Sequence, residues 1–272
     1  MIEAAINISE GKNKALVDKL SKLNSTLDTH SDPYHNRSVI TLACEPKQLQ
    51  LDIAQLVQMA IQTLDLSTHQ GVHPRFGVVD VVPFVDLDNN LDLSRAIEQR
   101  DQFAKWAGED LEVPCFLYGP RQNESTRSLP ELRKGAFVDF LPDFGPPKPH
   151  PKAGAIAVGA RGVLIAYNLW LLEPDLEKAR AIAKKIRSKD LRALGIQVGN
   201  HVQVSLNLIN PYCFGPEKAY DLISTHAQIA RAELVGLIPE KILTKINPTR
   251  WEQLDLSQEK TIESRLKSKI LS

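Results

Sequence analysis

The stretch FGVVDVVPFVDL, residues 76–87, is a nearly continuous apolar run, too short for a helix and bounded by polar loops. On its N-terminal side, PKQLQLDIAQLVQMAIQTLDL puts Leu49, Ile53, Leu56, Val57, Ala60, Ile61 and Leu64 on one helical face behind an opening proline. On its C-terminal side, DLSRAIEQRDQFAKWAGEDL has the pattern of a second long helix. A strand set between amphipathic helices commits the chain to a sheet covered by helices, an α/β (α+β) fold.

The remaining patterns agree. AINIS (5–9), RSVITLACE (37–45), VPCFLYG (113–119) and VLIAYNLWLL (163–172) have the composition of strands. Helices are expected over EGKNKALVDKLSKLN, NESTRSLPELRKGAF, PDLEKARAIAKKIRSK, near 216–230, and over 257–270. LRALGIQVGNHVQVSLNLIN is a hairpin turning at Gly199–Asn200. Residues 141–162, LPDFGPPKPHPKAGAIAVGARG, hold five prolines and four glycines and are expected to form an ordered loop or an interdomain connection. We expect two subdomains, 1–163 and 164–272, each a mixed β-sheet with helices on its outer face, joined by this segment.

Composition narrows the function. Among 272 residues, 33 Lys plus Arg balance 33 Asp plus Glu, which argues against nucleic acid as the partner. No apolar run is long enough for a membrane span, and the N-terminus lacks the pattern of a secretory signal. Cys44, Cys115 and Cys213 are odd in number and far apart, so a cytoplasmic location is expected and neither a disulfide framework nor a zinc site is indicated. Neither GxGxxG nor GxxxxGK[ST] occurs.

Three clusters could carry chemistry. STHQGVHPRFG supplies His69, His73 and Arg75 on a loop stiffened by Pro74 and loosened by Gly71 and Gly77. The i, i+4 histidines lack the helix and the glutamate that a metalloprotease-type metal site needs. They either cap the strand, or one is a general acid/base beside an arginine suited to a carboxylate. HSDPYHNR (30–37) is a second polar turn leading into a strand, with Asn36 and Arg37 at its end. Its similarity in design suggests that both loops open on one cleft. In the third, 141–162, Lys148, His150, Lys152 and Arg161 face a single acid, Asp143, which suits an anionic ligand.

These clusters are also where the sequence resembles a known family, the formiminotransferase part of glutamate formimidoyltransferase. NISEGKN, DPYHNRSVITL, THQGVHPRFGVVDVVPF, VPCFLYG, LPELRKG, PDFGPPKPHPKAGAIAVGARGVLIAYNLWL, RALGIQV, VQVSLNLIN and ELVGLIP occur in the family's order over roughly residues 5 to 240. The resemblance implies transfer of a formimino group between N-formimino-L-glutamate and tetrahydrofolate, the folate being a co-substrate and no metal being used. It implies two sheets facing each other across a folate passage, and a homodimer, with no nucleic-acid or membrane partner. The family's catalytic histidine falls on His73. Its folate-binding loop falls on Gly145, Pro146, Pro147, Lys148, Pro149, His150, Pro151, Lys152, Ala153 and Gly154. Charge alone nominates Arg75 and Arg37 for the glutamate carboxylates, and Lys148, His150 and Lys152 for the glutamyl tail of the folate.

Two departures stand out. His30 occupies the position of an aspartate in animal members, with Asp28 and Asp32 as nearby substitutes, and the second half is shorter than in the family. They leave two alternatives: a folate-binding protein without transferase activity, or a related folate-dependent transferase using another donor.

Overall fold

The structure is a computed structural model that describes residues 1–71, 75–89, 92–121 and 124–271. It divides into two compact units, Met1–Gly162 and Val163–Ser272.

The first unit is built on β1 (Ile2–Ile8), α1 (Lys14–Leu20), β2 (Thr26–Asp32), β3 (Arg37–Cys44), α2 (Pro46–Thr63), β4 (Val79–Asp86), α3 (Ser94–Glu109), β5 (Cys115–Arg121), β6 (Glu124–Arg127), α4 (Leu129–Gly135) and β7 (Ile156–Ala160). Seven strands form one mixed sheet in the order β2-β3-β1-β4-β7-β5-β6. β4, β7 and β5 run parallel, and β1 and β3 are antiparallel to their neighbours. The periodic face of α2 buries Leu49, Ile53, Leu56, Val57 and Ala60 completely, each large side chain contributing roughly 1.5–3 kcal/mol relative to exposure. α3 adds Ala96, Phe103, Ala104 and Ala107 to the same core. On the other side, Val81, Phe116, Tyr118 and Ala157 meet Leu132 of α4 in a smaller cluster flanked by Phe76 and Phe137.

The proline-rich segment differs from expectation. Rather than joining the units, residues 141–162 belong to the first, and their last third forms β7, a central strand buried along its whole length. It reads Ile-Ala-Val-Gly-Ala, and a Cβ on Gly159 would run into the Tyr118 ring, so only part of it carries the bulky signature of a core strand. Two further strands escaped the sequence patterns: β2, inside what looked like a loop, and the short β6.

The second unit comprises β8 (Ile165–Leu171), α5 (Leu176–Ile186), β9 (Leu191–Val198), β10 (His201–Leu208), α6 (Pro216–Ser224), β11 (Ile229–Val235), α7 (Glu240–Leu243) and α8 (Ile262–Leu271). Its four strands form an antiparallel sheet, β11-β8-β10-β9. The hairpin turns at Gly199–Asn200 as its sequence dictates. AELV is the end of β11, an edge strand of that sheet. α5 packs on β9 and β10. On β8, Trp170 is stacked under Arg231 at 4.2 Å and donates its indole N–H to Glu233 at 2.9 Å. No helix among the described residues is long and apolar enough to cross a membrane.

Candidate active site

Strand direction gathers the polar clusters of the first unit. β1 ends where β3 and β4 begin, and β4 and β7 run parallel. The segment after β1, the β2–β3 turn, the lead-in to β4 and the lead-in to β7 therefore all lie at one end of the sheet. The two loops suspected of sharing a cleft do meet: Arg75 donates through Nη2 to the main-chain carbonyls of His35 and Asn36, the latter at 3.2 Å.

Each side of this meeting is fixed locally. The β2–β3 turn is held by Asp32, whose Oδ1 accepts the N–H groups of Tyr34 and His35 at 2.8 and 2.9 Å. Its Oδ2 lies 2.8 Å from His35 Nδ1. Burial works against the charged carboxylate, but these hydrogen bonds and the His35 imidazole outweigh it and hold Asp32 down at about 2. Asn36, nearly fully buried, takes a left-handed conformation with φ of +48°. Its Oδ1 accepts the Gly11 N–H at 2.9 Å and its Nδ2 donates to the Gln70 carbonyl at 3.0 Å.

Arg37 donates to Asn7 Oδ1 from Nε at 3.0 Å and also from Nη2. Burial lowers Arg37 to about 10; Asp80 opposes the shift, while Arg133 and Arg75 add to it. The guanidinium is still charged at neutral pH. Asp80, buried in the apolar run, accepts the Phe76 N–H at 2.6 Å and pairs with Arg133 at 2.5 Å. Phe76 packs edge-on against Phe116 at 5.3 Å. The chain just after Arg75 is thus pinned by a hydrogen bond and by an aromatic contact.

His69 places Nδ1 3.5 Å from Asn36 Nδ2, while its Nε2 is buried with no hydrogen-bond partner among the described residues. Burial, followed by the charge of Arg75, lowers its affinity for a proton. Arg75 Nε is likewise buried without an acceptor among the described residues. Gly71 permits the close approach here, since a Cβ would stand 2.6 Å from the His35 carbonyl oxygen. His73, with Val72 and Pro74, lies outside the described residues.

The proline-rich loop reaches the same sheet end. Lys152 O accepts the Leu66 N–H at 2.8 Å, Ala153 O the Val78 N–H at 3.0 Å, and Phe76 O the Ala155 N–H at 3.0 Å. Gly154 has φ of +72°, and a Cβ there would stand 2.5 Å from Phe76 O, so a side chain is excluded both by conformation and by space. His150 Nδ1 accepts the Ala153 N–H at 2.9 Å, which makes Nε2 the protonated, donating nitrogen of the neutral ring. Lys148 and Lys152 are exposed, as are Gly145, Pro147, Pro149 and Pro151, with Pro146 half-buried and Ala153 buried. Asp143 is occupied within the fold by Arg121, Arg127 and the Leu117 N–H. Arg161 donates to the Gly162 carbonyl at 2.9 Å. His30 lies within β2 opposite Val39.

Asp80 and Asn7 had not been singled out from the sequence. A lone carboxylate inside VVDVV was the available signal, because a buried strand carries a charge only where something answers it.

One end of the α/β sheet gathers a histidine, arginines and a proline-rich cationic loop, and the sequence comparisons give the chain a family. Residues 1–161 match the formiminotransferase domain, N-terminal subdomain. The chain belongs to the formiminotransferase family and is a transferase. It is 34% identical over 274 residues to a glutamate formimidoyltransferase of Streptococcus pyogenes serotype M1, covering 90% of this chain and 91% of that protein. A glutamate formimidoyltransferase of Thermoplasma acidophilum is 32% identical over 276 residues, 90% of each chain. The formimidoyltransferase-cyclodeaminase of Sus scrofa is 31% identical over 277 residues, 89% of this chain and 51% of that longer protein.

Proposed function

We propose that the protein transfers a formimino group between N-formimino-L-glutamate and tetrahydrofolate, with His73 as the general acid/base. The supporting observation is the convergence of Gln70, Arg75 and Phe76, the Asn36–Arg37 turn and the proline-rich loop on one end of a sheet. N5 of tetrahydrofolate forms the new bond to the formimino carbon and gives up its proton. The bond from that carbon to the glutamate nitrogen then breaks, and the departing amine takes a proton. One imidazole can serve both halves, accepting the first proton and returning it in the second. Holding both substrates at one place supplies the proximity contribution.

The chain's other groups fit binding roles. Residues Gly145 to Gly154 are proposed to hold the folate, a rigid loop whose exposed Lys148 and Lys152 face solvent. His150, donating through Nε2, joins them on the carboxylates of the glutamyl tail. Arg75, whose Nε has no acceptor among the described residues, and Arg37 beside it are proposed to take the carboxylates of the formimino donor. The cytoplasm, where one-carbon groups derived from histidine degradation would be passed on, is the proposed location.

Purified protein mixed with both substrates should form the formimino-folate. Folate binding in calorimetry without turnover would favour a binder or a different donor; neither binding nor turnover would overturn the proposal.

A further inference from the structure

On the transferase reading above, we infer that Asn36 is a positioning residue: its carboxamide fixes Gln70, which leads into the stretch carrying His73, to the segment after β1 and so governs turnover rather than folate affinity. Asn36 is 8% exposed and sits at φ of +48°, a conformation glycine adopts without cost and asparagine tolerates. The turn alone would therefore be satisfied by glycine. The side chain does something a glycine cannot. Its oxygen takes the Gly11 N–H at 2.9 Å, and its nitrogen gives a proton to the Gln70 carbonyl at 3.0 Å. Its main-chain carbonyl receives Arg75 at 3.2 Å.

Gln70 and Arg75 flank the stretch that carries His73 on either side. The Asn36 side chain therefore ties the Gln70 end to the segment following β1, while its main chain receives the Arg75 end. A carboxamide can accept and donate at once; aspartate keeps the acceptor and loses the donor. The proline-rich loop is fastened separately, through Leu66, Phe76 and Val78, and none of those three bonds passes through Asn36. Loosening Asn36 should then misplace Gln70 while leaving the folate loop in position.

Asn36→Gly and Asn36→Asp, made in the full chain, test this. Both should still unfold cooperatively. In both, amide exchange around Gln70 should quicken roughly tenfold or more, while β3 and β4 keep their protection. The kcat should fall by about tenfold to a hundredfold, since misplacement of a reacting group by an ångström carries a penalty of that order. The KM for tetrahydrofolate should be unchanged. Wild-type exchange in the loop, an unchanged kcat, or a KM for folate that rises in step with the loss of kcat would each overturn the assignment. If the wild-type protein itself transfers nothing, the transferase reading fails, and the exchange measurement still decides whether Asn36 holds the loop.

Discussion

Arg75 donates to the main-chain carbonyls of His35 and Asn36, 40 and 39 residues away, and so joins the two loops on which the proposed chemistry depends. A lysine there keeps the charge but offers a single point donor in place of a planar fork. Arg75→Lys should lose about 1–2 kcal/mol of stability, one or two hydrogen bonds to carbonyls left without a good partner. Its kcat/KM for the formimino donor should drop by roughly tenfold to a hundredfold through loss of the bidentate geometry. Chemical denaturation and steady-state kinetics on the same preparation separate the two effects.

Asp32 and His35 predict a pH dependence of stability. The carboxyl is at about 2 in the folded protein and near the ordinary carboxylate value when unfolded, so the unfolded state binds the proton first. The contribution is therefore fully present above about pH 4 and is lost as the pH falls toward 2. It amounts to up to about 2 kcal/mol. Asp32→Asn should be less stable than wild type at pH 7 by that order, with the gap closing at pH 2–3 in urea titrations. An equal gap at both pH values would count against this origin.

Gly154→Ala puts a Cβ at φ of +72° against Phe76 O, where the main chain of two loops meets. Destabilisation by roughly 1–3 kcal/mol is expected from the conformational strain. Because Gly154 closes the proline-rich loop, calorimetry should also register weaker tetrahydrofolate binding. Folate affinity equal to wild type would separate this loop from the folate.

The sequence made the helices and the long strands plain because their periodicity is strong: α2 buries the predicted Leu49, Ile53, Leu56, Val57 and Ala60. β7 was hidden for the opposite reason. Its small Ala157, Gly159 and Ala160 weaken the strand signature, Gly159 leaving room for the Tyr118 ring, and the prolines just before it suggest a linker. β2 was hidden by its polar residues, which suit an edge strand paired on one side only. At the site, histidines and arginines announce themselves by residue type. Asn7 and Asp80 do not, and Asn36 showed only as a turn residue, since their importance lies in which groups they meet across 25 to 30 residues or in burial that only the fold creates.

The three thiols should separate cleanly. Cys115 is buried and its thiol is pushed far up by that burial; Cys44 is half-buried and pushed up to about 11, again chiefly by burial; Cys213 is exposed. Thiolate is the reactive form, so at pH 8 an aromatic disulfide reagent should label Cys213 fast, Cys44 slowly, and Cys115 only on unfolding. Mass spectrometry of the labelled peptides checks the order.

The most direct measurement is formimino transfer from N-formimino-L-glutamate to tetrahydrofolate by wild type and by His73→Ala, with folate affinity followed in parallel. Turnover should fall by about a hundredfold to ten-thousandfold in the variant, the range for loss of a general acid/base, with folate binding retained. A His73→Ala enzyme that turns over like wild type would contradict the assignment of His73 as the group that moves the proton.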